Sequence, residues 1–127
     1  MNVVDSSGWL EYFGDGPNAA FFAGPLASPE DLIVPAISVF EVFKRVLQQR
    51  DEASALQAAA LMQQGRAVAL DPALAMAAAK LSFELKLPMA DSIILATARQ
   101  FNAVLWTQDA DFESLPGVRY VARAPAG

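Results

Sequence analysis

The stretch Leu87-Pro88-Met89-Ala90-Asp91-Ser92-Ile93-Ile94-Leu95-Ala96-Thr97-Ala98-Arg99-Gln100, followed by Ala103-Val104-Leu105-Trp106-Thr107 and the polar turn Gln108-Asp109-Ala110-Asp111, decides the fold. Its first part opens after a proline and offers Ile94, Leu95 and Ala98 to one inner face, which predicts a helix extending towards Gln100. Its second part is a short apolar run bounded by turn residues, which predicts a buried strand. A helix feeding such a strand is half of a strand-helix-strand unit, and the same grammar recurs upstream.

Met1 to Val4 reads as a first strand ending at Asp5-Ser6-Ser7, a cluster suited to cap a helix over Gly8 to Phe13. Gly14 to Pro17 is a turn, Asn18 to Phe22 a short helical turn, and Gly24-Pro25 with Ser28-Pro29 an irregular connection. Leu32 to Pro35 predicts a second strand. Ser38 then opens a helix with Glu41 at the third position of a capping box, and Asp51 to Gln64 gives another helix stopped by Gly65. Ala67 to Leu70 predicts a third strand, Asp71-Pro72 starts a helix reaching about Glu84, and Val118 to Val121 predicts a final edge strand. Strands separated by helices favour an α/β fold with a mostly parallel central sheet flanked by helices. With 127 residues, one domain spanning 1–127 is expected, with 123–127 as a short tail.

The composition narrows the chemistry. The chain has no cysteine and no histidine, which excludes zinc-thiolate sites, iron-sulfur clusters, cysteine nucleophiles, imidazole bases and the Ser-His-Asp arrangement. No GxxxxGK[ST] motif is present, which disfavours a P-loop enzyme. Apolar runs fall short of the roughly 20 residues that cross a bilayer, and the N-terminus has no signal-peptide pattern, so a cytoplasmic protein with no membrane partner is expected. With 9 basic and 14 acidic residues the net charge is -5, so the overall field does not advertise nucleic acid.

Carboxylates at the strand ends carry the remaining signal. Asp5 follows the first strand and Asp109 follows the strand ending at Thr107. Glu41 and Asp91 sit early in helices that follow strand or loop segments. In parallel α/β sheets ligands gather beyond the carboxyl ends of the strands. Each acid also has a structural explanation, as a cap or as a partner of a helix dipole, and the Ser38 box alone accounts for Glu41. Taken together, four such acids at one rim would repel one another unless a divalent cation held them, and an oxygen-bound Mg²⁺ (or Mn²⁺) keeps waters that can be activated. A response-regulator pocket is a rival reading, but Asp5 lacks a neighbouring acidic pair and no phosphoacceptor-plus-lysine set is clear.

The motifs Val3-Val4-Asp5-Ser6-Ser7, Ile37-Ser38-Val39-Phe40-Glu41-Val42, Pro88-Met89-Ala90-Asp91-Ser92-Ile93-Ile94-Leu95-Ala96-Thr97-Ala98 and Leu105-Trp106-Thr107-Gln108-Asp109-Ala110-Asp111-Phe112 occur in this order over nearly the whole chain. In that combination the sequence resembles the PIN-domain ribonucleases, and more narrowly the VapC-like toxins of toxin-antitoxin systems. The resemblance implies a Rossmann-like sheet and metal-dependent endoribonuclease activity, with RNA as substrate. It further implies a homodimer inhibited by a cognate VapB-like antitoxin. It makes Asp5, Glu41 and Asp91 the three core acids and Asp109 the fourth, with Asp111 a more variable addition. Ser7 and Thr107 match hydroxyl positions that orient a carboxylate or water, although local backbone bonding explains them equally well.

Lys44, Arg45, Lys80, Lys86 and Arg99 are positive groups on helices that could contact phosphates, against the plainer reading of solvated helix faces. Trp9, Tyr12 and Phe13 could help form an antitoxin groove and Phe40 and Phe43 could pack at a subunit or helix-hairpin interface, against the plainer reading of core or dimer packing for most of them; Trp106 reads as core packing. The alternative to an enzyme is a catalytically weak PIN-like interaction or regulatory protein.

Overall fold

The computed structural model describes residues 1–125, so residues 126 and 127 of the expected tail lie outside the described residues. Five short strands, β1 (Asn2–Val4), β2 (Ile33–Pro35), β3 (Arg66–Val68), β4 (Val104–Thr107) and β5 (Val118–Tyr120), alternate with helices. These are α1 (Ser6–Phe13), α2 (Ala19–Leu26), α3 (Ala36–Gln49), α4 (Glu52–Met62), α5 (Pro72–Leu85) and α6 (Met89–Gln100). Every strand pairing is parallel: β1 with β4, β4 with β5, and β2 with β3. A parallel bridge between Asn2 and Leu32 joins the two ladders, giving the order β3-β2-β1-β4-β5. The order therefore reverses direction at β1, and the crevice between β1 and β4 is the switch point of a Rossmann-like sheet.

The period-two alternation of each strand sends its side chains to two separate cores. Val4, Leu32 and Val34 pack with Trp9, Phe22, Val42 and Met62 on the α1–α4 side. Val3, Ile33 and Leu105 pack with Leu87, Ile94, Leu95 and Phe112 on the α6 side. Burial of each such large side chain contributes about 1.5–3 kcal/mol. Helix α6 is buried continuously from Ser92 to Ala98, as expected of a helix enclosed by other elements on all sides. The buried run begins one residue after Asp91, so the half-buried first turn that bears this acid is anchored by the core behind it.

Three local expectations change. Helix α2 runs through Gly24-Pro25 to Leu26; the proline sits in the last turn, where its ring packs into the interior and the helix ends one residue later. The third strand is Arg66–Val68 and not Ala67 to Leu70, because Gly65 approaches the Leu32 carbonyl so closely that pairing with β2 begins at once. The capping box at Ser38 does not form. Helix α3 already starts at Ala36 with Pro35 as its cap, so Ser38 is a buried residue inside the first turn and its hydroxyl has no hydrogen-bond partner among the described residues. Glu41 is thus in the second turn, and the capping explanation for its identity disappears.

Candidate metal centre

Asp5 leaves the end of β1 and caps α1. Its Oδ1 accepts from the Gly8 backbone N–H at 2.9 Å and from the Ser7 hydroxyl at 2.9 Å, while Oδ2 accepts from the Thr107 hydroxyl at 2.7 Å. The residue is only 3% exposed. Burial raises its pKa, opposed by the bonds from Thr107, Gly8 and Ser7, with the Asp109 charge adding to the rise. Gly8 is dictated by this turn: a Cβ there would stand 2.6 Å from the Phe22 ring and 2.7 Å from Val4. Thr107, at the end of β4, also accepts from the Asp109 backbone N–H at 2.9 Å and so couples the two strand ends.

Asp109 caps a 3-10 turn over Ala110–Phe112, its Oδ1 accepting from the Asp111 backbone N–H at 2.9 Å. This Asx arrangement is local and explains the Asp109-Ala110-Asp111 spacing. Glu41 reaches the site from α3, where its Oε1 accepts from the Ser6 hydroxyl at 2.7 Å. Asp91 projects from the first turn of α6. Burial, then the carboxylates of Asp109, Asp5, Asp111 and Glu41, push its pKa up to about 7. Its protonation thus reports the crowding of all five acids.

Asp5, Glu41, Asp91 and Asp109 line one pocket of ≈ 300 Å³ together with Ser6, Ser7 and Arg45. The tightest group of carboxylates differs from the four acids favoured by the sequence and takes in Asp111, which lies outside that lining. Carboxylate oxygens of Asp91, Asp109 and Asp111 lie within 4.8 Å of one another. Asp5 and Glu41 stand outside this cluster, with both oxygens of Asp5 and Oε1 of Glu41 engaged by the hydroxyls and backbone just described. The oxygen-only donor set, half-buried and with no cation paired to it among the described residues, fits a hard divalent ion.

The other predicted positions divide. Ser7 and Thr107 both bond Asp5. Of the basic residues, Arg45 reaches the pocket. Lys44 lies over the Phe40 ring at 6.0 Å, while Lys80 and Arg99 line a separate groove between α5 and α6 where Lys80 approaches Glu84 at 3.9 Å. Lys86 is the left-handed residue that ends α5. Trp9 is core, stacked on Phe13 at 5.7 Å, and Phe40 faces solvent. Trp106 packs as expected, with its ring 5.1 Å from that of Phe21 and its Nε1–H donated to Asn2. The sequence reading assigned no site role to Ser6, which lines the pocket, to Gln108 and Arg123, which line an adjoining hollow, or to Asn18, which donates to Gln108. The strand-end rule that singled out Asp5 and Asp109 also applies to β5, so the residues just after Tyr120 come to the same rim.

The sequence profile of the PIN domain family matches residues 3–118. Comparison with curated protein sequences gives no match. Among solved structures, a toxin-antitoxin complex from Klebsiella pneumoniae has a chain 26% identical to this one, with a TM-score of 0.77 over 94% of this chain and 96% of that chain. The VapC20 toxin of Mycobacterium tuberculosis, described as cleaving the sarcin-ricin loop, is 17% identical with a TM-score of 0.75 over 91% and 95%. VapBC2 from Rickettsia felis, bound to a DNA fragment from its promoter, is 14% identical with a TM-score of 0.73 over 95% and 97%. The last two likenesses speak for the fold alone. With the parallel sheet, the acids at its switch point and a family match covering nearly its full length, the chain belongs to the PIN domain family and has a VapC-like toxin fold.

Proposed function

We propose that the protein is a metal-dependent endoribonuclease toxin that hydrolyses RNA phosphodiester bonds at the acidic pocket. The observation carrying this reading is the convergence of Asp5, Glu41, Asp91 and Asp109 on one pocket, with Asp111 joining Asp91 and Asp109 in an oxygen cluster. With no histidine or cysteine in the chain, water activation falls to these carboxylates and to an ion held by them.

Asp91, Asp109 and Asp111 would hold Mg²⁺ or Mn²⁺ directly, with Asp5 and Glu41 completing the site through their free oxygen capacity or through water. The bound ion would supply Lewis-acid stabilisation of the phosphate and lower the pKa of a coordinated water. Thr107 and Ser7 keep the Asp5 carboxylate oriented, and Ser6 does the same for Glu41. Asp91, pushed up to about 7 by its neighbours in the metal-free chain, is the acid whose proton an ion must displace. Arg45 faces the approaching phosphate from the pocket wall.

The likeness to a chain of a toxin-antitoxin complex supports a cognate VapB-like antitoxin as partner. A homodimer is proposed with it, supported by the apolar side chains that α5 and the start of α6 leave in solvent, chiefly Met76, Phe83 and Met89. Among the described residues no helix is long and apolar enough to cross a membrane.

The deciding experiment is cleavage of a cellular RNA pool by purified, antitoxin-free protein in EDTA, Mg²⁺ or Mn²⁺, beside folded Asp5→Asn and Asp91→Asn variants. Cleavage is expected only with metal and only from the unaltered chain. Metal-dependent cleavage retained by both variants would refute the site, and a chain inert towards RNA would be an interaction protein.

A further inference from the structure

We propose that Arg45 and Arg123 form a phosphate-binding shelf beside the acidic pocket, which grips a phosphodiester of the RNA strand next to the one being cut. This inference rests on the ribonuclease reading and adds how a chain of net charge -5 holds a polyanion at a pocket of carboxylates.

A second hollow of ≈ 300 Å³ adjoins the acidic pocket and shares Ser7, Leu10 and Arg45 with it. Its remaining wall contains Glu11, Gln49, Gln108 and Arg123. Both arginines are exposed, and neither has a carboxylate within ion-pair distance among the described residues. Four of the other cations are engaged elsewhere: Arg66 lies over Phe101, Arg119 over Trp106, Lys44 over Phe40 and Lys80 beside Glu84; none of the remaining three, Arg50, Lys86 and Arg99, lines either hollow. Glu11 also lines the hollow, where its Oε2 accepts from the Asn18 backbone N–H at 3.0 Å, so the two arginines there outnumber a single carboxylate.

Arg123 is held at this rim by a clasp. The Val121 N–H donates to the Thr107 carbonyl at 3.0 Å, which carries the chain past the end of β5 alongside β4. Asn18 Nδ2 then donates to the Ala122 carbonyl at 3.0 Å and to Gln108 Oε1 at 3.0 Å. Gln108, 4% exposed, donates in turn to the Ser7 carbonyl at 3.5 Å. Thus the residue before Arg123 is tied to the two segments that carry Asp5 and Asp109. Two unpaired guanidinium groups facing one polar hollow suit phosphate oxygens, which they can engage bidentately. Such contacts position a strand without reading its bases.

The test is fluorescence anisotropy with a single-stranded RNA oligonucleotide and the full chain carrying Asp91→Asn to suppress cleavage, measured over a salt series. Adding Arg45→Gln or Arg123→Gln should each weaken binding and lower the slope of log affinity against log salt by about 0.7, the value for one phosphate contact on a single strand. Lys80→Gln, in the distant α5–α6 groove, should leave the slope as it was. Unchanged slopes in both arginine variants, an equal effect of Lys80→Gln, or no salt-dependent RNA binding would overturn the shelf. Cleavage by the unaltered chain is scored separately: cleavage with unchanged slopes sinks the shelf alone, whereas reduced slopes in a chain that never cleaves support the shelf and sink the ribonuclease reading.

Discussion

Thr107 Oγ1 donates to Asp5 Oδ2 at 2.7 Å across 102 positions of sequence, and the same oxygen accepts from the Asp109 backbone N–H. One buried hydroxyl thereby sets the relation between the ends of β1 and β4, the two strands that bound the switch-point crevice. Replacing it by valine of similar shape removes a bond to a charged group, worth about 1.5–3 kcal/mol. Thr107→Val should lower the denaturation midpoint accordingly and reduce RNA cleavage by about 10–100-fold, with Thr107→Ser restoring much of both. Equal activity of the valine and serine variants would remove Thr107 from the site.

Asp91 makes stability depend on pH in a direction that can be worked out. Its pKa rises from 3.8 when unperturbed to about 7 in the fold, so the native state holds the proton more tightly than the unfolded chain. In EDTA, its contribution to stability is therefore greatest below about pH 4, falls as pH rises towards 7, and is flat above. Asp91→Asn should flatten that part of the profile in urea titrations. A slope unaltered by the substitution would show that other groups cause it.

Metal should reverse this trend, because the ion competes with the proton for the same carboxylate. At a concentration one hundred times its Kd, an ion bound only to the folded state stabilises by about 2.7 kcal/mol. The rise in melting temperature on adding Mg²⁺ or Mn²⁺ should be larger at pH 8 than at pH 5. It should vanish in Asp91→Asn and Asp109→Asn, and require more metal in Asp111→Asn, whose carboxylate is the most exposed of the cluster. A full shift in Asp109→Asn would remove that residue from the ligand set.

Gly8 tests whether the site depends on packing as well as on charge. A methyl group there meets the fully buried Phe22 and Val4. Overpacking of this kind costs about 1–3 kcal/mol. Gly8→Ala should show that loss in thermal unfolding, together with reduced cleavage, since the Gly8 N–H is one of the donors to Asp5. Full stability in the alanine variant would show that α1 can shift away from the sheet freely.

Much of this organisation was legible locally. Asp71-Pro72 opens α5 and Asp51 opens α4, each with its carboxylate on the backbone N–H three residues ahead, because a cap needs only neighbouring residues. Expectation and structure part where another segment outweighs a local signal. Ser38 has the residue type of a cap, but Pro35 three positions earlier caps α3 and leaves Ser38 inside the first turn; Gly65 does not itself stop α4, which ends at Met62, and its close approach to Leu32 starts β3 at Arg66.

By itself, the sequence determined the alternation of strands and helices, the exclusion of imidazole and thiol chemistry, and the acids at the strand ends, since these follow from periodicity, composition and capping over a few residues. The tertiary structure alone decided which acids share oxygens at close range and which are restrained by hydroxyls, and it alone brought Arg123 beside Arg45. Those relations depend on parallel pairing that sets the ends of β1, β4 and β5 side by side, and no local pattern records the distances between residues joined only through the sheet.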